Sequence, residues 1–240
     1  MLKRVVHNRL CSAIGALFAI FVATVLCACN GNDLARGDEA LRIGDYDRAV
    51  TNFSKVLDVE PANRDARYGL AIAYYAIAED KERLKESTLA LWERTVREFK
   101  ILSVVDSSEK SKPMYSTALF YFARAMLAEN AQAKVLHLLD QSVQLDPENY
   151  FSYNLKALIL AGQGDVDGAK KIYAYIVTKE PKFASAYVNL GNLYWNAHDY
   201  ESAWDIWSMG REALPQDAVL AKWTRIAEDS LKAMVYSGKL

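Results

Sequence analysis

The chain has little cysteine, little proline and no surplus of either charge. Its three cysteines, Cys11, Cys27 and Cys29, all lie within the first 29 residues, so the rest of the chain can form no disulfide of its own. The 29 basic and 30 acidic residues leave a net charge of -1, and without a positive field a nucleic-acid partner is not expected. With 52% hydrophobic residues, the composition excludes disorder throughout and suits a substantial core or a repeat array.

The first thirty residues have the organisation of an export signal. Lys3, Arg4 and Arg9 precede an uncharged run over residues 10–29, and polarity returns at Asn30. A charged start, an apolar stretch and a cleavage site in this order are typical of a secretory signal. A run of this length also suffices for one membrane-spanning helix, so an uncleaved anchor is the alternative.

The end of the apolar run resembles the lipobox of bacterial lipoproteins. Leu26-Cys27-Ala28-Cys29 places a leucine and a small residue before the cysteine that is diacylated in that family. The resemblance implies a signal peptide over residues 1–28, lipidation of Cys29 and anchoring of the mature chain through its lipid. Asn30 favours the periplasmic face of the outer membrane in a two-membrane bacterium. A plain signal or anchor with incidental cysteines is the alternative.

The five prolines recur at a fixed spacing. Pro113, Pro147, Pro181 and Pro215 are each 34 residues apart, and Pro61 precedes Pro113 by 52 residues. Proline suits a loop or a first helical turn, because it has no backbone N–H to donate. A 34-residue period is typical of stacked helix-turn-helix units. Since 52 exceeds 34 by 18, we predict that one unit carries an 18-residue insertion.

The residues between the prolines resemble the tetratricopeptide repeat. The clearest copy spans residues 184–217 and matches the family pattern at Tyr187, Leu190, Gly191, Tyr194, Ala203, Trp207 and Pro215. His198-Asp199-Tyr200 replaces the usual Gly-Asp-Tyr of the turn. The resemblance implies an all-α fold, a right-handed superhelical solenoid of about five helix-turn-helix units with a C-terminal capping helix.

The proline period also predicts the boundaries of the units. The solenoid is expected over residues 29–240, with units at about 30–63, 64–115, 116–149, 150–183 and 184–217 and a capping helix at 218–236. The second unit holds the insertion. Within it, residues 82–105 fit one extended amphipathic helix. The polar residues 106–112 are the candidate for a mobile loop.

The sequence offers no recognisable catalytic or metal-binding motif. Phosphate-loop, nucleophile-elbow and zinc-protease patterns are absent, and His137 and His198 have no partners for catalysis nearby in the sequence. The alternating acids of residues 164–168 form too short a loop for calcium, and a repeat turn explains them. We therefore predict a protein that is not an enzyme and needs no cofactor or metal. Catalysis by an unrecognised carboxylate pair is the alternative.

The family resemblance implies a partner-binding groove lined by the first helix of each unit. Carrying the family's groove positions over marks eight residues that mix aromatics, amides and one arginine: Tyr68, Tyr75, Phe120, Arg124, Phe151, Asn154, Asn192 and Trp195. Such a lining suits a peptide held by apolar anchors and backbone hydrogen bonds. Trp195 is the residue most expected to touch a partner. The alternative is that Tyr68, Phe120 and Phe151 only fill the interior of a tight superhelix.

These patterns together predict a non-enzymatic, membrane-anchored lipoprotein of the bacterial cell envelope. It would act as a protein-protein interaction scaffold or assembly factor, with envelope proteins in the groove and a membrane at the lipid. The clamp that some family members use for a C-terminal carboxylate is incomplete, because Leu158 occupies the place of a second asparagine. The alternative function is a small-ligand-binding accessory lipoprotein of a transport system, with the groove as a pocket.

Overall fold

The computed structural model describes residues 32–105, 109–127 and 132–236. The expected signal peptide and Cys29 lie outside these ranges. No helix in the described ranges is both long and apolar enough to cross a bilayer.

Regular structure in the described ranges is helical throughout, which confirms the predicted all-α class. The helices are α1 (residues 32–42), α2 (Tyr46–Val59), α3 (Arg64–Arg83), α4 (Leu89–Val105), α5 (Lys112–Met126), α6 (Gln132–Leu145), α7 (Tyr150–Gly162), α8 (Val166–Lys179), α9 (Ala184–Asn196), α10 (Tyr200–Ala213) and α11 (Ala218–Tyr236). They form two compact units. The first contains α1 to α4 and the second contains α5 to α11.

Each unit is built from helices that pack against their neighbours in the chain. In the second unit α5 packs on α6, α7 on α8 and α9 on α10, and α11 covers α10 after the last pair. Leu220, Thr224 and Ala227 of α11 are buried. The predicted capping helix is therefore confirmed.

The second helices of three pairs begin at an aspartate that caps the helix. The carboxylates of Asp45, Asp165 and Asp199 accept the backbone N–H groups of Arg48, Gly168 and Ser202 at 3.1, 2.9 and 3.1 Å. Each bond satisfies one N–H that has no partner inside the helix. Of the acids that alternate along residues 164–168, Asp165 thus caps α8 and Asp167 lies in its first turn.

The residue before each of these aspartates has a left-handed backbone. The φ angles are 77° at Gly44, 89° at Gly164 and 63° at His198. Glycine adopts this region without strain, and histidine tolerates it better than β-branched residues do. The structure confirms that His198 occupies the turn position where glycine is usual.

Close approach of paired helices depends on a glycine facing a large ring. A Cβ atom at Gly191 of α9 would lie 2.2 Å from Nε1 of Trp207, and one at Gly69 of α3 would lie 2.3 Å from Cζ of Phe53. Both rings are fully buried. Each ring therefore occupies space that any side chain at the facing glycine would fill.

The prediction of one long helix over residues 82–105 is wrong. The chain leaves α3 at Arg83, passes Lys85 with φ at 58°, and begins α4 at Leu89. The turn lets α4 fold back on α3 and bury Trp92 completely. Nε1 of Trp92 donates to the Glu82 carboxylate at 3.1 Å. The apolar pattern missed this break because Leu84 continues it, although that side chain is 70% exposed.

The polar stretch 106–112 is described only in part. Residues 106–108 lie outside the described ranges. Glu109–Ser111 form one turn of 3-10 helix, and Lys112 is the first residue of α5. The predicted loop is therefore interrupted by helical structure in its second half.

A buried ion pair joins α3 and α4 in the first unit. Nη1 of Arg67 lies 2.6 Å from the Glu98 carboxylate, with 10% and 14% of the two side chains exposed. Nη2 of Arg67 also donates to the carbonyl oxygen of Pro61 at 2.6 Å. The arginine thus ties the entry of α3 to the middle of α4.

A buried network of small polar side chains joins α5, α6 and α7 in the second unit. Oγ of Ser142 lies 2.8 Å from Oγ of Ser116 and 2.7 Å from Oγ of Ser152. Nδ2 of Asn149 donates to Oγ of Ser116 at 2.9 Å. All four residues are buried. The hydroxyls of Ser116 and Ser142 also donate to each other's main-chain carbonyls, so each of the four side chains has a partner within the protein.

Candidate partner-binding surface

Two of the eight predicted groove residues belong to the first unit. Tyr68 and Tyr75 lie on α3 and are half-buried. The ammonium group of Lys110 lies 5.6 Å from the Tyr68 ring centroid. Tyr75 packs its ring at 5.2 Å, edge to face, against Trp92 of α4. Tyr75 therefore also serves the packing of α3 on α4.

In the second unit, three phenylalanines from successive pairs form a continuous row. The Phe151 ring of α7 lies 5.9 Å from the Phe120 ring of α5 and 5.2 Å from the ring of Phe183, which precedes α9. Phe151 is 62% exposed. We call Phe120, Phe151 and Phe183 the phenylalanine row. It is an apolar surface that spans three helix pairs.

Sequence reasoning missed Phe183. The residue lies just before α9, outside the groove positions of the family pattern. The position of Phe183 two residues after Pro181 does not predict the contact between its ring and Phe151, because that contact depends on how α7 and α9 pack.

Arg124 lies beside the row, held by aromatic rings. Its guanidinium carbon is 4.7 Å from the Tyr121 ring centroid and 5.7 Å from that of Phe120. The face of an aromatic ring attracts a cation, so the two rings orient the guanidinium. The Arg124 side chain is exposed. The structure thus places Arg124 beside Phe120 and Phe120 beside Phe151; that these residues line a partner-binding groove stays a prediction.

An amide pair follows on α7 and α9. Oδ1 of Asn154 accepts a hydrogen bond from Nδ2 of Asn189 at 3.0 Å. Asn189 also lies near the phenol of Tyr173, whose burial raises its pKa to about 12. The Asn189 bond fixes the rotamer of Asn154. Asn192, another predicted groove residue, lies half-buried one turn further along α9.

Trp195 takes part in packing at the end of α9. Its ring lies 4.7 Å from the Tyr200 ring and 5.8 Å from the Trp207 ring, both on α10. It is half-buried. That Trp195 also touches a partner stays a prediction.

The arrangement of these residues suits recognition of a chain segment. The exposed ring of Phe151 within the aromatic row supplies apolar contact, while amides and an arginine beside it supply polar contacts. Nowhere in the described ranges do three or more His, Cys, Asp or Glu side chains come close enough to hold a metal ion. The combination of apolar and polar contacts makes this surface a candidate binding site for a protein segment.

The profile of the tetratricopeptide-repeat family matches residues 34–82 and 154–218. These two stretches are similar to the tetratricopeptide repeat. The chain's curated relative, tetratricopeptide repeat protein 6 of Homo sapiens, is 23% identical over 80% of this chain. The alignment spans 40% of that relative, so this chain matches less than half of its length.

Solved structures of tetratricopeptide-repeat proteins share the fold. The MamA protein is 19% identical with a TM-score of 0.56, covering 79% of this chain and 94% of MamA. YrrB, described as having an unusual peptide-binding site, is 19% identical with a TM-score of 0.55 over 80% of this chain and 90% of its own. Part of a tetratricopeptide-repeat protein from Cytophaga hutchinsonii is 14% identical with a TM-score of 0.58. The match covers 83% of this chain and 72% of that structure. These likenesses confirm a tetratricopeptide-repeat solenoid.

Proposed function

We propose that this protein is a non-enzymatic scaffold that binds segments of partner proteins across the phenylalanine row. The observation that carries the proposal is the exposure of Phe151. A phenylalanine that is 62% exposed between two other rings leaves apolar surface in water. Covering such a surface is favourable by about 25 cal/mol per Å², and exposed apolar patches mark interaction sites.

The polar residues beside the row support a chain segment as the ligand. Asn154 is held in place by Asn189, and amides of this kind satisfy the main-chain groups of an extended peptide. YrrB, which shares the fold, has a peptide-binding site according to its description. A small molecule would need a more enclosed site, because small-molecule pockets cover most of their ligand.

We further propose that the scaffold works at the bacterial cell envelope, anchored by a lipid on Cys29. The support is the order of charged start, apolar run and Leu26-Cys27-Ala28-Cys29. One diacylglycerol with a further acyl chain holds a protein stably at a membrane. Asn30 favours the periplasmic face of the outer membrane.

Replacing Phe151 by serine is expected to reduce partner capture at least tenfold. Photo-crosslinking in intact cells, followed by purification of the tagged chain and quantitative mass spectrometry, measures the capture. Because Phe151 is mostly exposed, helix content should stay unchanged in circular dichroism. The matched control is Val104→Ser on α4, which removes an 83% exposed apolar side chain in the first unit. Equal capture by both variants and the unchanged protein would contradict the proposed site.

Replacing Cys29 by alanine is expected to move the protein from the membrane pellet to the soluble periplasmic fraction. A thioether-linked lipid requires the cysteine sulfur, so the variant has no attachment point. Fractionation with immunoblotting checks the result, and Cys27→Ala is the matched control that should stay in the pellet. If Cys29→Ala also stays in the pellet, an uncleaved anchor helix replaces the lipid in the proposal.

A further inference from the structure

We infer that Tyr153 and Tyr175 form a site of oxidative modification, at which a one-electron oxidant joins the two rings as dityrosine. The product is a covalent bond between α7 and α8 of the second unit. Neither tyrosine belongs to the phenylalanine row or to the predicted groove residues. The inference therefore goes beyond the proposed function and does not rest on it.

The first observation is the short distance between the two rings. Tyr153 lies on α7 and Tyr175 on α8, and their ring centroids are 5.1 Å apart with an angle of 52° between the ring planes. Standard carbon–carbon bond lengths place the centroids of two directly bonded rings roughly 4.3 Å apart, and such rings need not be coplanar. The centroids must therefore approach by less than about 1 Å, which is within the thermal motion of side chains.

The second observation is that an oxidant can reach the pair. Both side chains are half-buried. Together with Lys171 and Ile172 they line a surface cavity of about 280 Å³. Tyr173, which lies between Ile172 and Tyr175 in the sequence, is fully buried instead. A small oxidant therefore meets Tyr153 and Tyr175 at the surface, while the core protects Tyr173.

The third observation concerns the side chains around the pair. Both tyrosines pack against the core cluster of α7, α8 and α9, which consists of aliphatic residues, further tyrosines and Phe183. Among its described residues there is no tryptophan and neither of the sulfur-containing side chains, cysteine and methionine, that oxidants attack readily. A radical formed on one phenol therefore has the other phenol beside it, and no sulfur in this cluster to consume it.

The protonation of the phenols determines how the oxidation starts. Burial raises the pKa of the Tyr153 phenol, and the charge and hydrogen bond of the Tyr175 phenol raise it further. Tyr153 is therefore a neutral phenol at neutral pH. Loss of one electron from each ring is accompanied by loss of its O–H proton, and two phenoxyl radicals result.

The coupling of the two radicals balances without a further reactant. One bond forms between a Cε carbon of each ring, the hydrogen on each bonded carbon leaves as a proton, and each oxygen takes up a proton. Overall the pair gives two electrons to the oxidant and two protons to the solvent, and both phenols are restored. The new bond closes a loop that contains the α7–α8 turn, which restricts the unfolded chain as a disulfide does.

Photo-oxidation of the full chain tests the inference. The chain is illuminated in detergent, at low concentration, with tris(bipyridyl)ruthenium and persulfate. The ruthenium(III) formed removes one electron at a time, and each persulfate finally accepts two. Without the bond, trypsin releases residues 135–156 and 172–179 as separate peptides. Mass spectrometry of the monomer band should find these two peptides joined, with the loss of two hydrogens, and dityrosine fluorescence gives the yield.

Each of the two peptides contains a second tyrosine, which provides a matched control. Tyr153→Phe and Tyr175→Phe should each lower the yield of the joined peptide at least tenfold. Tyr150→Phe in the first peptide and Tyr173→Phe in the second should leave the yield unchanged. Oxidation in concentrated urea should also lower the yield, because unfolding separates the rings.

Three results would overturn the inference. The first is the absence of the joined peptide from the oxidised, folded monomer. The second is a joined peptide that persists in Tyr153→Phe or Tyr175→Phe and is lost in Tyr150→Phe or Tyr173→Phe, since another pair would then react. The third is an equal yield from the folded and the urea-unfolded chain, because the packing of α7 on α8 would then play no part.

Discussion

Replacing Trp207 by alanine is expected to lower the free energy of unfolding by about 3–5 kcal/mol. The ring is fully buried in the last helix pair, packs against the rings of Trp195 and Trp223, and donates to the Val188 carbonyl at 3.3 Å. Its removal leaves a cavity that the surrounding helices cannot fill. Urea unfolding followed by far-ultraviolet circular dichroism measures the loss.

A second substitution distinguishes loss of packing from a general weakening of α10. Gly191→Ala should destabilise the unchanged protein, because its Cβ would lie 2.2 Å from the Trp207 ring. In the Trp207→Ala background the same methyl group enters vacated space and should be neutral or stabilising. Additive losses in the double variant would mean that Gly191 and Trp207 do not interact.

Replacing Glu98 by alanine is expected to cost about 3–5 kcal/mol of unfolding free energy in the first unit. Arg67 would keep its charge in a site where 10% of its side chain is exposed, with its carboxylate partner gone. The penalty is the burial of an unpaired charge, and the Pro61 carbonyl offsets only part of it. Urea unfolding at pH 7 gives the value.

The surface pair of Arg97 and Glu93 on the same helix provides the control. These side chains are about 60% exposed and 4.0 Å apart, so Glu93→Ala should change stability by less than about 0.5 kcal/mol. A loss of similar size in Glu93→Ala and Glu98→Ala would show that burial of the Arg67 pair contributes nothing. The double variant Arg67→Met with Glu98→Leu should recover most of the loss, since it leaves no charge behind.

Features fixed by a short stretch of chain could be predicted from the sequence. The left-handed turn before Asp199 needs one residue that tolerates positive φ, and His198 was expected there. The final helix followed from the last proline, and it spans Ala218–Tyr236. The 34-residue repeat could likewise be predicted, because each unit needs a proline or another turn residue at the same place in the sequence.

Features that depend on contacts between distant residues were not predictable. The turn after Arg83 accompanies the packing of Trp92 against Tyr75 of α3, and no Gly or Pro marks it in the sequence. Phe183 joins the aromatic row only because α7 and α9 lie side by side. Of the candidate site, the repeat register predicted the positions of Phe120, Arg124 and Phe151, but not which neighbours each ring would meet.

The hydroxyl network of Ser116, Ser142 and Ser152 limits how freely the repeats of this chain can be exchanged. Apolar faces between repeats tolerate substitution of one unit by another, since any well-shaped side chain fills the gap. A buried hydroxyl cluster does not tolerate this exchange. When one serine is replaced, the hydroxyl of its neighbour stays buried without a hydrogen-bond partner. The helices α5, α6 and α7 should therefore be exchanged only as a single piece: a recombination that separates α6 from α7 would split the bond between Ser142 and Ser152, whereas one after α8 would leave the cluster whole.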